Sequence, residues 1–120
     1  MMDLKIIKIK DAKSTDERVV LKALAKCNLN NYVLFDTTYD ENGIVSNKFR
    51  HLFVFPDLVV EAGDFIWLYT KSGKYDTHSN DSNTVTHKLY WGVQSYVWNN
   101  EGDNAYLLHY DDWCCLSYKK

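Results

Sequence analysis

An all-β fold, a sandwich or barrel of about eight short strands, is what this 120-residue sequence predicts. Three observations predict it. Runs rich in β-branched and aromatic residues recur at intervals of roughly ten residues. Gly, Asn, Asp and Pro gather between those runs, where the chain must reverse. The composition, 46% hydrophobic and 25% charged, is that of an ordinary soluble domain rather than a disordered or membrane-spanning chain. One domain over residues 1–120 is the expectation from length.

The first run, Leu4–Lys10, alternates lysine with aliphatic side chains, as a strand with one solvated face does. The next segment, STDERVVLKALAKC (14–27), reads two ways. Ser14 and Glu17 form a capping-box pattern ahead of helix-favouring Leu, Ala and Lys. The same residues also make a strand with Val19, Leu21 and Ala23 on one face, and local pattern does not choose between them. YVLFDTT (32–38) is a strand that ends in the turn residues Asp40, Glu41, Asn42 and Gly43. KFRHLFVF (48–55) puts Phe49, His51, Phe53 and Phe55 on one face and Arg50, Leu52 and Val54 on the other, until Pro56 removes a ladder donor. After a turn at residues 61–64, FIWLYT (65–70) is apolar enough for burial on both faces. Residues 71–87 are polar and read as the longest loop. Runs at 88–98, 104–110 and 113–118 complete the set, with a Gly-Asp turn (99–103) between the first two.

Net charge is −2 and the pI about 6.0, which supplies no general attraction for phosphate backbones or anionic lipid, so neither nucleic acid nor membrane is the expected partner. Residues 1–26 are locally basic, with seven Lys or Arg against four acids, and read as a solvated face whose lysines guard a sheet edge. The start, MMDLKIIKIK, lacks the continuous apolar stretch of a secretory signal, which points to the cytoplasm. Cys27, Cys114 and Cys115 match no metal spacing and read as reduced, small and mostly buried.

YWGVQSYVWNNEGDNAYLL (90–108) carries five aromatic rings and a tight polar turn. It resembles the bacterial branch of the lamin tail domain, in which a YWG segment, a WNN turn, a Gly-Asp pair and an apolar strand follow in that order. ERVVL (17–21), LNNYVLFD (29–36), Phe55-Pro56 and the Gly63 turn entering LYT (68–70) fall in step, so the likeness covers residues 17–118. Asn31-Tyr32 stands where the family often has Gly-Trp. The resemblance implies an immunoglobulin-like, two-sheet antiparallel β-sandwich, a strand rather than a helix at 19–24, and an interaction or assembly module without catalysis. Trp91 and Trp98 then fill a core.

Catalytic signatures such as GxSxG, HExxH and Gly-rich phosphate loops are absent from the sequence. His51 and His109 fall in strand patterns and read as structural. The loop YDTHSNDSN (75–83) is the expected binding region, with Tyr75, Asp76, His78, Asp81 and His87 as candidates, because sandwich domains carry recognition on end loops. Asp76-x-His78-x-Asn80-Asp81 fits neither an EF-hand nor a compact zinc site, so neither metal nor other cofactor is expected, although a small metal-dependent hydrolase using Asp76, His78, Asp81 and His87 is an alternative. A carbohydrate-binding module is another, and needs two or more of Trp67, Trp91, Trp98 and Trp113 coplanar and exposed. Asn80-Asp81-Ser82 also matches a glycosylation sequon. The expected partner is a protein, or a second copy joined through a sheet edge.

Overall fold

The computed structural model describes residues 2–37, 51–98 and 103–118. Ten strands run through them in the order β1 (Leu4–Lys10), β2 (Arg18–Ala23), β3 (Cys27–Asn28), β4 (Tyr32–Thr37), β5 (Leu52–Val54), β6 (Val59–Val60), β7 (Phe65–Tyr69), β8 (Asp76–Ser79), β9 (Val85–Tyr90) and β10 (Asn104–His109). A 3-10 turn, Leu29–Asn31, joins β3 to β4, and no α-helix is found among the described residues. The strands form a five-stranded sheet, β1-β2-β7-β9-β8, a three-stranded sheet, β10-β4-β5, and a short pair, β3-β6.

Alternation sorts each strand into a core row and an outer row. In β2, Val19, Leu21 and Ala23 are wholly enclosed, and residues 18–23 of the ambiguous 14–27 segment are strand, with a turn before them and a bend after. Helical propensity loses there because β2 is flanked by β1 and β7, and pairing on both edges buries more than an isolated helix would. Ile66 and Leu68 of β7, Leu89 of β9, Leu34 and Tyr32 of β4, and Trp98 join the same core cluster, so the inner faces of the two larger sheets share one apolar interior. Trp91 packs at the margin of that cluster, so both indoles have the packing role expected of them.

Ser14 and Glu17 cap no helix. Glu17 N–H donates to Ser14 O at 3.1 Å in a turn, and the Glu17 carboxylate is buried at 1% exposure. It accepts from the amides of Lys13 and Val97, each at 3.0 Å, and from Thr70 Oγ1 at 2.5 Å.

Several expected elements are different. Residues 71–87 are not one long loop: β8 and β9 form a hairpin, and Thr77 stands opposite His87. Asn80 makes the reversal, its Oδ1 accepting from Ser82 N–H, Thr84 N–H and Thr84 Oγ1, with Asn83 at φ 60°. The Asn80 amide also donates to Thr86 Oγ1, so the sequon asparagine is committed to the turn. β9 lies beside β7 in parallel, an exception to an otherwise antiparallel arrangement. It arises because β8 passes outside and β9 returns into the gap. The run expected at 88–98 stops at Tyr90, where Gly92 at φ +79° turns the chain away. Residues 113–118 form no strand; Cys114 and Cys115 there are exposed rather than buried, and Cys27 is half-buried. The turns expected at 40–43 and 99–102, and residues 48–50 of the KFRHLFVF run, lie outside the described residues.

Candidate functional site

The sequence candidates divide between two faces. His87 lies on the inner side of β9, 7% exposed, with Nε2 2.9 Å from Asp64 Oδ2 and Nδ1 2.8 Å from the Tyr75 hydroxyl. In the sequence Asp64 is visible only as a turn residue. Its carboxylate also accepts from the amides of Glu61 and Val85, at 3.0 and 3.1 Å. Burial pushes the Asp64 carboxyl upward, but the His87 and backbone hydrogen bonds outweigh it and leave it below the usual carboxylate value. Tyr75 moves the other way, its phenol raised by burial and then by the carboxylates of Asp64 and Asp76. A phenol held in its neutral form donates a hydrogen bond and is a poor nucleophile. The Asp64-His87-Tyr75 row therefore clamps the β7-to-β8 connection onto β9.

Asp76 and His78 belong to the opposite, outer row of β8, paired in register with Lys88 and Thr86. Asp76 accepts from the Thr77 amide, and the His78 ring meets Trp67 edge-on at 5.4 Å. Asp81 is exposed at the hairpin tip. Asp76, His78 and Asp81 thus stand apart from His87, and among the described residues no group of three or more His, Cys, Asp or Glu is placed to hold a metal ion. His51, flanking β5, sits 3.1 Å from the buried Asp36 carboxylate, and His109, itself exposed, stacks on Tyr32 at 4.5 Å.

The four indoles occupy four different places. Trp98 is in the core, Trp91 donates Nε1–H to Leu52 O at 3.1 Å, Trp67 lies on the outer face of the five-stranded sheet, and Trp113 is 72% exposed on the C-terminal segment. They form no common stacking plane.

Two outer sheet faces carry chemistry that the linear sequence does not reveal. On the three-stranded sheet, register places Val33 and Phe35 of β4 beside Val54 and Leu52 of β5 and beside Leu108 and Tyr106 of β10. All six are apolar or aromatic. Leu52, Val54, Tyr106 and Leu108 are between 41% and 56% exposed, and Phe35 stacks on Tyr106 at 5.4 Å. An antiparallel sheet facing water normally alternates apolar-in with polar-out, and this face does not. The chain leaving β10 continues the pattern, with Trp113, Leu116 and Tyr118 at 72%, 96% and 88% exposure.

The outer face of the five-stranded sheet is basic and aromatic. Arg18 and Lys22 of β2, Phe65, Trp67 and Tyr69 of β7, and Lys88 and Tyr90 of β9 share it, with Lys5, Lys8 and Lys10 of β1 at its edge. The Arg18 guanidinium lies 4.6 Å over the Trp67 ring, and Lys88 5.8 Å from it. A trough of about 350 Å³ crosses this face from Ile7 and Lys8 to the hairpin tip. A second cleft, about 460 Å³, opens at the ends of β7 and β9 between Ser14, Thr70 and Tyr96.

No helix among the described residues is long and apolar enough to cross a membrane. No protein-family model matches the chain, and neither a curated protein nor a solved structure matches it.

Proposed function

We propose that the chain is a non-catalytic assembly module, an immunoglobulin-like sandwich of the lamin-tail kind, that associates with a second copy through the outer face of its three-stranded sheet. The sandwich reading draws on the ordered sequence motifs and on two multi-stranded sheets sharing one core.

The observation that carries the function is the contiguous apolar patch of Leu52 and Val54, Val33 and Phe35, and Tyr106 and Leu108 on the outer face of β5, β4 and β10. Apolar surface left in water costs about 25 cal/mol per Å², so a contiguous patch is retained where a partner covers it. The sequence favours self-association through an edge, but β1 carries Lys5, Lys8 and Lys10 and β8 spans only four polar or charged residues. The sheet face is the better candidate. Its exposed side chains offer on the order of 500 Å², and a stable interface takes about 800 Å² from each partner. Trp113, Leu116 and Tyr118, on the segment continuing from β10, supply the remainder. The exposed thiols of Cys114 and Cys115 suit a reducing compartment such as the cytoplasm.

Light scattering over a hundredfold concentration range tests the proposal. A dimer is expected, and Val54→Lys with Leu108→Lys should convert it to a folded monomer, since both side chains are half exposed. A wild-type chain that stays monomeric throughout, or a dimer unaffected by both substitutions, overturns it.

A further inference from the structure

We infer that the trough across the five-stranded sheet binds single-stranded nucleic acid. It is independent of the assembly face, lying on a different sheet.

The trough runs across β1, β2, β7 and β9 and ends at the turn between β8 and β9. Its near wall is Ile7, Lys8 and Lys10, its floor is built of Val20, Phe65 and Trp67, and Asn80, Asp81 and Ser82 of the hairpin tip close the far side. The β-bulge between Ile6 and Lys8 shapes the near wall, because it shifts the register of β1 and brings Lys8 and Lys10 beside Val20 and Arg18 on the outer row. Strands about 4.8 Å apart make the path across these four strands roughly 14 Å long, enough for more than one phosphate.

Charge and ring surface occur together here. Lys5, Lys8, Lys10, Lys22 and Lys88 make no ion pair with a described carboxylate, and Arg18, paired with Asp11 at 3.0 Å, borders the trough. Arg18 is 7% exposed, and its buried Nε has no hydrogen-bond partner in the fold. A polyanion gains from that field, and planar bases gain from Phe65 and Trp67, the combination by which single strands are held without sequence reading.

Net charge argues against nucleic acid, but −2 is an average over the whole surface. The lysines of β1 and β2 are brought onto the same face as Lys88, more than sixty residues away, only by the order of the sheet. An acidic peptide fits less well. An extended peptide needs partners for its own amides, and the face of a sheet has already used its backbone groups in the ladder. A duplex fits less well because its bases present no free faces to the floor.

Fluorescence anisotropy with labelled twelve-nucleotide single strands, DNA and RNA in separate arms, tests the inference on the intact chain. Binding to at least one is expected, weakening as salt rises. Lys8→Gln with Lys10→Gln, both exposed positions, should weaken binding at least tenfold and flatten the salt slope by about 1 to 2. Trp67→Leu should weaken it with the slope kept. Retained binding by Val54→Lys/Leu108→Lys separates this site from the assembly face. Competition on the wild-type chain makes the outcome independent of any variant's folding. The inference is overturned if neither strand binds, if a duplex or a poly-glutamate peptide competes as well as the single strand, or if the lysine substitutions leave a folded chain binding unchanged.

Discussion

His87 Nε2 and Asp64 Oδ2 meet at 2.9 Å, both groups more than nine-tenths buried, and that pair anchors the hairpin of β8 and β9 to the turn before β7. Asp64 has its carboxyl held below its ordinary value of 3.8: burial opposes ionisation, and the bonds from His87, Glu61 and Val85 overcome it. A carboxyl depressed on folding stabilises the fold fully above its unfolded pKa, and that stability is lost as pH falls through the lower, folded one. Urea unfolding should therefore show the wild type weakening as pH drops below about 4. Asp64→Asn should be about 2 kcal/mol less stable at pH 7 and should lose part of that acid dependence. Parallel acid limbs for the two proteins would remove Asp64 from the account.

Glu17 ties its own turn to two distant parts of the chain with one carboxylate. Its donors come from Lys13, Thr70 and Val97, and the side chain is enclosed. Removing it leaves buried donors unpaired, which costs more than the bonds themselves contributed. Glu17→Ala should lower stability by about 3 kcal/mol and Thr70→Val by about 1 kcal/mol. In a double-mutant cycle the two should be non-additive, since Thr70 loses its partner in either background. Additive losses in denaturant unfolding would mean that the Thr70 bond contributes nothing.

Glu17 also shows what sequence can and cannot convey. The residue types that make a capping box do signal a local turn, but the carboxylate is consumed by a threonine 53 positions away. The row Val19, Leu21, Ala23 is only one of two readings that local pattern allows, and pairing of β2 with both β1 and β7 selects it. Residues 71–87 mislead because Asn, Asp and Ser favour reversals, and β8 is built of such residues, held as strand by pairing with β9. The site is less legible still. Tyr75 and His87 stand out together in the loop region and do meet, but their third partner, Asp64, belongs to another turn. The apolar face emerges only when Val33, Val54 and Leu108, each harmless in its own run, are brought into register. Net charge hides the basic face for the same reason, because a sum carries no geometry.

Gly73 is required by a neighbour. A Cβ there would stand 2.4 to 2.7 Å from ring carbons of Tyr90, which stacks on Tyr69 at 5.2 Å with an 11° tilt. Gly73→Ala forces the ring aside or shifts the connection that leads toward β8. The expected cost is about 1 to 2 kcal/mol, accompanied by a change in the near-ultraviolet circular dichroism of the stacked tyrosines. An unaltered spectrum with unaltered stability would show that the ring yields freely.

The thiols should separate in reactivity. Cys114 and Cys115 are exposed on the segment after β10, while Cys27 is half-buried in β3, opposite Val60. Burial raises the Cys27 pKa above its ordinary value of 9.0, and the nearby Asp3 carboxylate raises it further, so less thiolate is available at neutral pH. Reaction with a chromogenic disulfide should show two equivalents reacting fast and a third at least tenfold slower, with the slow one accelerated by denaturant. If the assembly face recruits the segment after β10, the fast phase should slow as protein concentration rises and recover in Val54→Lys/Leu108→Lys. Uniform rates for all three thiols would contradict the burial of Cys27, and a fast phase indifferent to concentration in a dimer would confine the interface to the sheet face itself.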